Sequence, residues 1–337
     1  MTWPDGRVVK ARRRVVVEGS MTQGAGQGPE AWQGEERGGP DRPDAVYSPT
    51  LPDLPVIDGA GPLYVVGDVH GYLDELRAAL REAGLTDAED RWAAGATRLW
   101  FLGDFTDRGP DGVGVIDLVM RLSAEAAAAG GYCKALLGNH ELLLLGASRF
   151  GDTPVDSAAG TASFQAAWML NGGQRTDMER LRDHHIQWMS RLDSMALADG
   201  HLLLHSDTTA YLDYGSTIDD VNDAIWQALQ RNDVEETWDL FRKFTKRFAF
   251  RDEAGPQAVR ELLDTYGGRR VVHGHSPIPY LTGETGGAES DAQGEPGADG
   301  APRVDGPHVY ADALAIAMDG GVTMAGKLLV ARLPLAG

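Results

Sequence analysis

Five short apolar runs, each ending in a turn that carries Asp, Asn or His, constrain this chain more than any other feature. Leu63-Tyr64-Val65-Val66 runs into Gly67-Asp68, and Leu99-Trp100-Phe101-Leu102 runs into Gly103-Asp104. Lys134-Ala135-Leu136-Leu137 meets Gly138-Asn139-His140. His201-Leu202-Leu203-Leu204 meets His205, and Arg269-Arg270-Val271-Val272 meets His273-Gly274-His275. Runs this short and this apolar read as buried strands. Helical periodicity separates the first three, over 73–83 with Gly84 as C-cap and over 112–129. Helices are also expected over 160–195 and 217–248, the latter turning Trp226, Leu229, Trp238, Phe241 and Phe244 inward. Strand, turn and helix in alternation argue for βαβ units, an α/β class and a parallel sheet. Two last strands, near 309–318 and 322–333, read as a terminal hairpin around Asp319-Gly320-Gly321.

In open α/β sheets ligands bind outside the carboxyl ends of the strands. Residues far apart in sequence are therefore expected on one rim: Asp68, His70, Asp104, Asn139, His140, His205, and either His273 or His275. Asp and His donate oxygen and nitrogen to divalent cations. Asp68 and His70 alternate in one turn and suit a single ion. A carboxylate such as Asp104 has two oxygens and can bridge two ions. Asn139 offers a neutral carbonyl oxygen, and His205 with His275 would complete the second ion. Two ions roughly 3.5–4 Å apart can hold both a phosphate and an attacking hydroxide. The glycines flanking these residues allow backbone to approach a bound ion or phosphate.

Four motifs carry a resemblance. Residues 67–71 (GDVHG), 103–110 (GDFTDRGP), 138–141 (GNHE) and 274–276 (GHS) are similar to those of the calcineurin-like metallophosphoesterases. Within that family they most resemble the phosphoprotein phosphatase branch, which includes serine/threonine phosphatases and bacterial diadenosine tetraphosphatases. The resemblance spans about 62–335, in order. It implies an α/β fold with a β-sheet sandwich core flanked by helices and a metal site at the carboxyl ends of the strands. It implies Asp68 and His70 on the first metal, Asp104 as bridge, and Asn139, His205 and His275 on the second. It makes His140 the general acid that protonates the leaving oxygen, Asp107 the carboxylate that orients it, and Arg108 a planar fork on the phosphate. The metals are expected to be two divalent ions, manganese first, with iron or zinc as alternatives.

Two departures stand out. Where the family usually carries HGG, this chain has His205-Ser206-Asp207, which places Asp207 on the expected substrate side. The family's further phosphate-gripping arginine is assigned to Arg251, with Arg247 as its competitor. Glu141 is expected at a helix start, and His184, His185, His201, His273 and His308 are read as structural.

Composition limits the partners. Lys and Arg number 31 against 50 Asp and Glu, a formal net charge of -19. Such a chain repels a phosphate backbone, so general nucleic-acid binding is disfavoured and none is expected. The one cysteine, Cys133, permits neither an intrachain disulfide nor a cysteine-rich zinc site and reads as a packed small hydrophobe. No run reaches the roughly 18 apolar residues of a membrane span, and the basic N-terminus lacks the apolar stretch of a signal peptide. A cytoplasmic protein is expected; oligomeric state is not legible. Residues 1–55 read as a disordered tail, 56–337 as the catalytic domain with a helical cap-like region over about 150–200, and 283–307 as a flexible loop.

The expected activity is hydrolysis of a phosphate ester by attack of a metal-bound hydroxide. The substrate is a phosphorylated protein, read as phosphoserine or phosphothreonine, or in the alternative a dinucleoside polyphosphate. A catalytically silent binding module of the same fold is the third reading, and the intact His140 argues against it.

Overall fold

A computed structural model describes residues 61–157, 160–283 and 304–335. In chain order it contains β1 (Leu63–Val66), α1 (Leu73–Glu82), β2 (Arg98–Phe101), α2 (Gly112–Ala128), β3 (Tyr132–Ala135) and α3 (Asn139–Phe150). Then come β4 (Val155–Ser157), β5 (Gly160–Ala162), α4 (Phe164–Leu170), α5 (Arg175–Arg180), α6 (Asp183–Met189), β6 (Met195–Ala198) and β7 (His201–Leu204). The chain continues through α7 (Ile218–Arg231), α8 (Val234–Phe244), α9 (Gly255–Tyr266), β8 (Arg270–His273), α10 (Ile278–Thr282), β9 (His308–Tyr310), β10 (Ala315–Ala317) and β11 (Val330–Leu333).

The strands form two main sheets flanked by helices, as the resemblance implied, rather than the single parallel sheet that strand–helix alternation alone suggested. The first has the order β11-β1-β2-β3 and the second β6-β7-β8-β10-β9, with β4 and β5 as a separate ribbon. Within the first, β1, β2 and β3 are parallel and β11 is antiparallel. Within the second, β7, β8 and β10 are parallel, and antiparallel β6 and β9 close the edges. The alternation of side chains along a strand explains why the runs are apolar throughout. Leu63, Val65, Trp100, Leu102, Leu203, Val272 and Ile316 share one buried cluster, drawn from both sheets. Their neighbours Val66, Leu99, Phe101, Leu202, Leu204 and Val271 belong to a second cluster with residues of α1, α2 and α3. The central strands β1, β2, β7, β8 and β10 are thus covered on both faces, whereas the edge strands keep exposed positions such as Lys134 and Arg332.

Several expectations change here. The terminal hairpin does not form. β10 lies parallel beside β8 and pairs with β9, whereas β11 crosses to the other sheet and covers the edge of β1. Val330–Leu333 shields an edge that would otherwise be open. Helix 160–195 resolves into three short helices, because Asn171-Gly172-Gly173 and Leu181 interrupt the backbone pattern. Trp226 is 46% exposed and not inward, while Leu229, Trp238, Phe241 and Phe244 are buried. The helix start read at Glu141 opens α3, whereas helix α9 was not expected as an element. Cys133 packs in the core as read. The proposed tail, and residues 284–303 of the proposed loop, lie outside the described residues. Among the described residues no helix is long and apolar enough to cross a membrane.

Candidate metal centre and its surroundings

The turns after β1, β2, β3, β7, β8 and β10 converge at the carboxyl ends of the two parallel strand sets. His70, Asp104 and His140 bring potential ligand atoms within 4.8 Å of one another, and Asp104, His205 and His275 do the same. Asp104 belongs to both groups, as a bridging carboxylate requires. His70 Nε2 lies 3.6 Å from Asp104 Oδ2 and 3.9 Å from Asp68 Oδ2. His205 Nε2 lies 3.3 Å from Asp104 Oδ1 and 2.9 Å from Asn139 Oδ1. All six residues expected as ligands are therefore brought together, and all are buried.

The backbone is shaped for this convergence. His70, Asp104, Asp107, Arg108 and His275 all adopt positive φ, between 47° and 69°. For residues other than glycine this conformation carries strain, which the surrounding contacts must hold. Close approach dictates glycine at two positions. A Cβ on Gly274 would lie 2.1 Å from Asp68 Oδ1, and one on Gly138 would lie 2.2 Å from Asp104 Oδ1.

Each imidazole is oriented by its other nitrogen. His70 Nδ1 donates to the Thr106 carbonyl at 3.1 Å and His205 Nδ1 to the Leu102 carbonyl at 2.9 Å, leaving Nε2 of each as a lone pair. His275 Nε2 donates to the Thr245 carbonyl at 3.2 Å, so its free lone pair is on Nδ1. The His275 backbone N–H donates to both Asp68 oxygens at 3.0 Å. Glu141 opens α3 and accepts the backbone N–H groups of Asp104, Phe105 and Gly138. It holds the second and third turns together and faces no ligand position.

The electrostatics suit a cation. Burial raises Asp68 well above the usual carboxylate range, and the neighbouring Asp319 and Asp104 add to it. Burial pushes Asp104 up to about 7. Burial holds His70 and His275 well below their ordinary values, and lowers His205 to about 3. Neutral imidazoles with aimed lone pairs, beside crowded carboxylates that resist ionising together, form a donor set that fits divalent cations.

His140 and Arg108 adjoin this set. His140 Nδ1 donates to Asp107 Oδ2 at 2.7 Å. The Arg108 fork donates from Nη1 to His70 Nε2 and from Nη2 to His140 Nε2, both at 3.1 Å. Burial, with the Arg108 cation beside it, holds His140 well below its ordinary value.

Two expectations about this rim are corrected. Arg251 is not brought to the cluster: its guanidinium lies over the Phe248 ring and pairs with Asp252 on the surface. Arg247 is the arginine whose charge acts on His70, Asp104, His205 and His275. It also lines an open depression of about 620 Å³ with Thr208, Asp213, Thr245 and Lys246. Asp207 is turned into the interior. It is fully buried, and its carboxylate accepts the Phe248 N–H at 2.8 Å and the Ser276 hydroxyl at 2.6 Å. It clamps the loop bearing Arg247 to the turn bearing His275, and the Ser206 hydroxyl reinforces this by donating to the Phe244 carbonyl. His273 is buried away from the ligands, its Nδ1 donating to the Gly274 carbonyl and its Nε2 accepting from Tyr310.

Asp319 was missed as a site residue. It is buried, accepts the Gly321 N–H at 2.9 Å and acts electrostatically on Asp68. The signal was present, since Ala315–Met318 is another apolar run followed by an Asp beside a Gly, although in the order Asp-Gly where Asp68 and Asp104 follow their glycines.

Comparison with known proteins agrees with this geometry. The chain is 35% identical over 114 residues to Shewanella-like protein phosphatase 2 of Arabidopsis thaliana, covering 33% of this chain and 28% of that protein. It is 39% identical over 83 residues to the symmetrical bis(5'-nucleosyl)-tetraphosphatase of Photorhabdus laumondii, covering 25% of each. The matched stretches thus span only about a quarter of these relatives. The cold-active protein-tyrosine phosphatase of a psychrophilic Shewanella species shares the fold, with TM-score 0.55 and 19% identity over 82% of this chain and 76% of that one. The profile of the calcineurin-like phosphoesterases matches residues 61–279, and this chain belongs to that family.

Proposed function

We propose that this chain is a metal-dependent phosphoesterase that hydrolyses phosphate esters with the help of two divalent cations. The observation that carries this reading is the pair of His and Asp clusters sharing Asp104, one of which includes His140 with Asp107 behind its ring. Asp68, His70 and Asp104 would hold one cation, and Asp104, Asn139, His205 and His275 the other. Bound there, two cations supply Lewis-acid polarisation of phosphoryl oxygens and lower the pKa of a water.

The chain's own residues do the rest. Arg108 presents a planar fork suited to two phosphate oxygens. An arriving phosphate draws that fork from the imidazole lone pairs, and Arg247 adds a second positive charge to the rim. As the bond between phosphorus and the leaving oxygen breaks, that oxygen requires a proton. His140 would supply it from Nε2 only in its cationic form, having taken up a proton from solvent once the Arg108 fork has moved to the phosphate. Asp107, accepting Nδ1–H, favours that cationic ring against the burial that disfavours it.

A phosphorylated protein is the substrate we favour, on the similarity to a protein phosphatase over a third of the chain. The similarity to a tetraphosphatase favours a dinucleoside polyphosphate as the second reading. The test is hydrolysis of p-nitrophenyl phosphate by chelated protein before and after adding manganese, iron or zinc. Turnover restored by metal supports the phosphoesterase. Absence of turnover with any of them, on aryl phosphate, phosphopeptide and diadenosine tetraphosphate alike, overturns it. Relative turnover of the last two decides the substrate class.

A further inference from the structure

The carboxylate that orients His140 is itself held from the other side. Asp107 is fully buried, and each of its oxygens meets one donor. Oδ2 accepts His140 Nδ1–H at 2.7 Å, and Oδ1 accepts the indole Nε1–H of Trp168 at 2.7 Å. Trp168 sits in α4, outside the strand-end turns, and is 1% exposed. The segment that follows it is bound to the same place. The Gly172 carbonyl accepts the Arg108 backbone N–H at 2.7 Å, and Gln174 Nε2 donates to that carbonyl at 3.0 Å. Residues 168–174 thereby brace Asp107 and Arg108, two consecutive residues with φ of 69° and 66°.

We infer that Trp168 is a positioning residue for proton donation, fixing through Asp107 the orientation and tautomer of His140. A carboxylate with a donor on one oxygen alone can rotate about Cβ–Cγ and present either oxygen, at varied angles, to the imidazole. With Trp168 on Oδ1, only Oδ2 is available to His140, and Nε2 is aimed at one point. Misplacement of a reacting group by about 1 Å can cost on the order of 10²-fold in rate, so such a constraint carries weight. A buried indole N–H needs an acceptor, and here the acceptor is the carboxylate that holds the His140 ring rather than a backbone carbonyl. This inference rests on the reading of His140 as the proton donor.

The leaving group separates the two roles. Phenoxide (a poor leaving group) needs a proton, whereas 2,4-dinitrophenoxide departs without one. The variants are W168F and the chain with 3-benzothienylalanine at position 168, which exchanges the indole N–H for sulfur and keeps the ring shape. Each is assayed as the manganese-loaded full chain on both aryl phosphates, beside H140N. The expected kcat loss is about ten times larger or more on phenyl than on dinitrophenyl phosphate for both variants, following the pattern of H140N. Equal losses on both substrates, or none, would overturn the inference while leaving the His140 reading intact. H140N with equal losses on both would remove that reading and the inference with it. A readout free of activity is the Trp168 indole N–H in ¹⁵N spectra of the metal-free chain. Slow hydrogen exchange, and a resonance that moves in D107N, are expected. Exchange as fast as an exposed indole would count against the bond.

Discussion

Glu141 Oε2 accepts the backbone N–H of Asp104 at 2.8 Å, so the acid that opens α3 holds in place the carboxylate shared by both ligand clusters. The same oxygen accepts Gly138 N–H at 3.1 Å, and Oε1 accepts Phe105 N–H at 2.8 Å. One buried side chain thus satisfies three backbone donors in two turns, which is why an acidic residue is tolerated where it is fully enclosed.

Replacing Glu141 with Gln should therefore be costly despite equal size. Gln has one acceptor oxygen, so its amide N–H₂ must face a backbone N–H. The expected loss is about 1–3 kcal/mol for a buried donor left unsatisfied. Urea unfolding of the chelated protein measures it, and an unchanged midpoint would show that the bonds carry no net stability.

Asp104→Asn should lower occupancy of both cations together, because the two clusters share only this residue. Elemental analysis after dialysis against manganese should find less than one ion per chain. Retention of two ions at full turnover would show that Asp104 does not bridge them.

His140→Asn should leave metal content unchanged and cut turnover by about 10²–10⁴, the range for loss of a positioned proton donor. Metal content and kcat are to be measured on the same preparation. Normal turnover would remove the general-acid role.

Arg247→Ala should reduce kcat/KM by about 10–100-fold, corresponding to loss of one charge-assisted contact to phosphate. Arg251→Ala should stay within about 2-fold, since its guanidinium is engaged with Phe248 and Asp252. The reverse order would restore Arg251 to the site.

Metal-free protein should lose stability as pH rises. Asp104 titrates near 7 and Glu141 near 8 in the fold, against 3.8 and 4.5 ordinarily. Between those values the native state holds protons that the unfolded chain has released. On account of these two groups stability falls toward pH 8. The buried histidines, held below their ordinary values, act in the opposite sense below about pH 6.5, so the fall is to be read between about pH 6.5 and 8. A cation offsets the carboxylate crowding, so manganese should raise Tm more at pH 8 than at pH 5. Thermal unfolding in chelator and in manganese at both values checks the sign; an equal rise would contradict it.

Much of this was legible in residue order. Leu63–Val66 and His201–Leu204 were read as strands with the limits observed, and Asp68, Asp104, Asn139 and His205 follow their strands closely. The reading failed where pairing is nonlocal. Val330–Leu333 and Ala315–Ala317 have similar local patterns, yet the first pairs with β1 in one sheet and the second with β8 in the other. Nothing within three or four residues encodes which edge a strand will cover. Arg247 and Arg251 are likewise four apart on one loop, and the Asp207 carboxylate, 41 residues from Phe248, determines which of them turns inward.

What the sequence determined by itself was the set of donors and their attachment to strand ends, because a strand buried on both faces must be apolar and its polar residues fall in the turn beyond. Only the tertiary structure decided how those donors are held. Glu141 beneath Asp104, Asp207 behind Phe248 and Trp168 behind Asp107 act across 37, 41 and 61 residues of chain. Each is a contact between elements with no shared local pattern, created when buried polar groups find partners during packing.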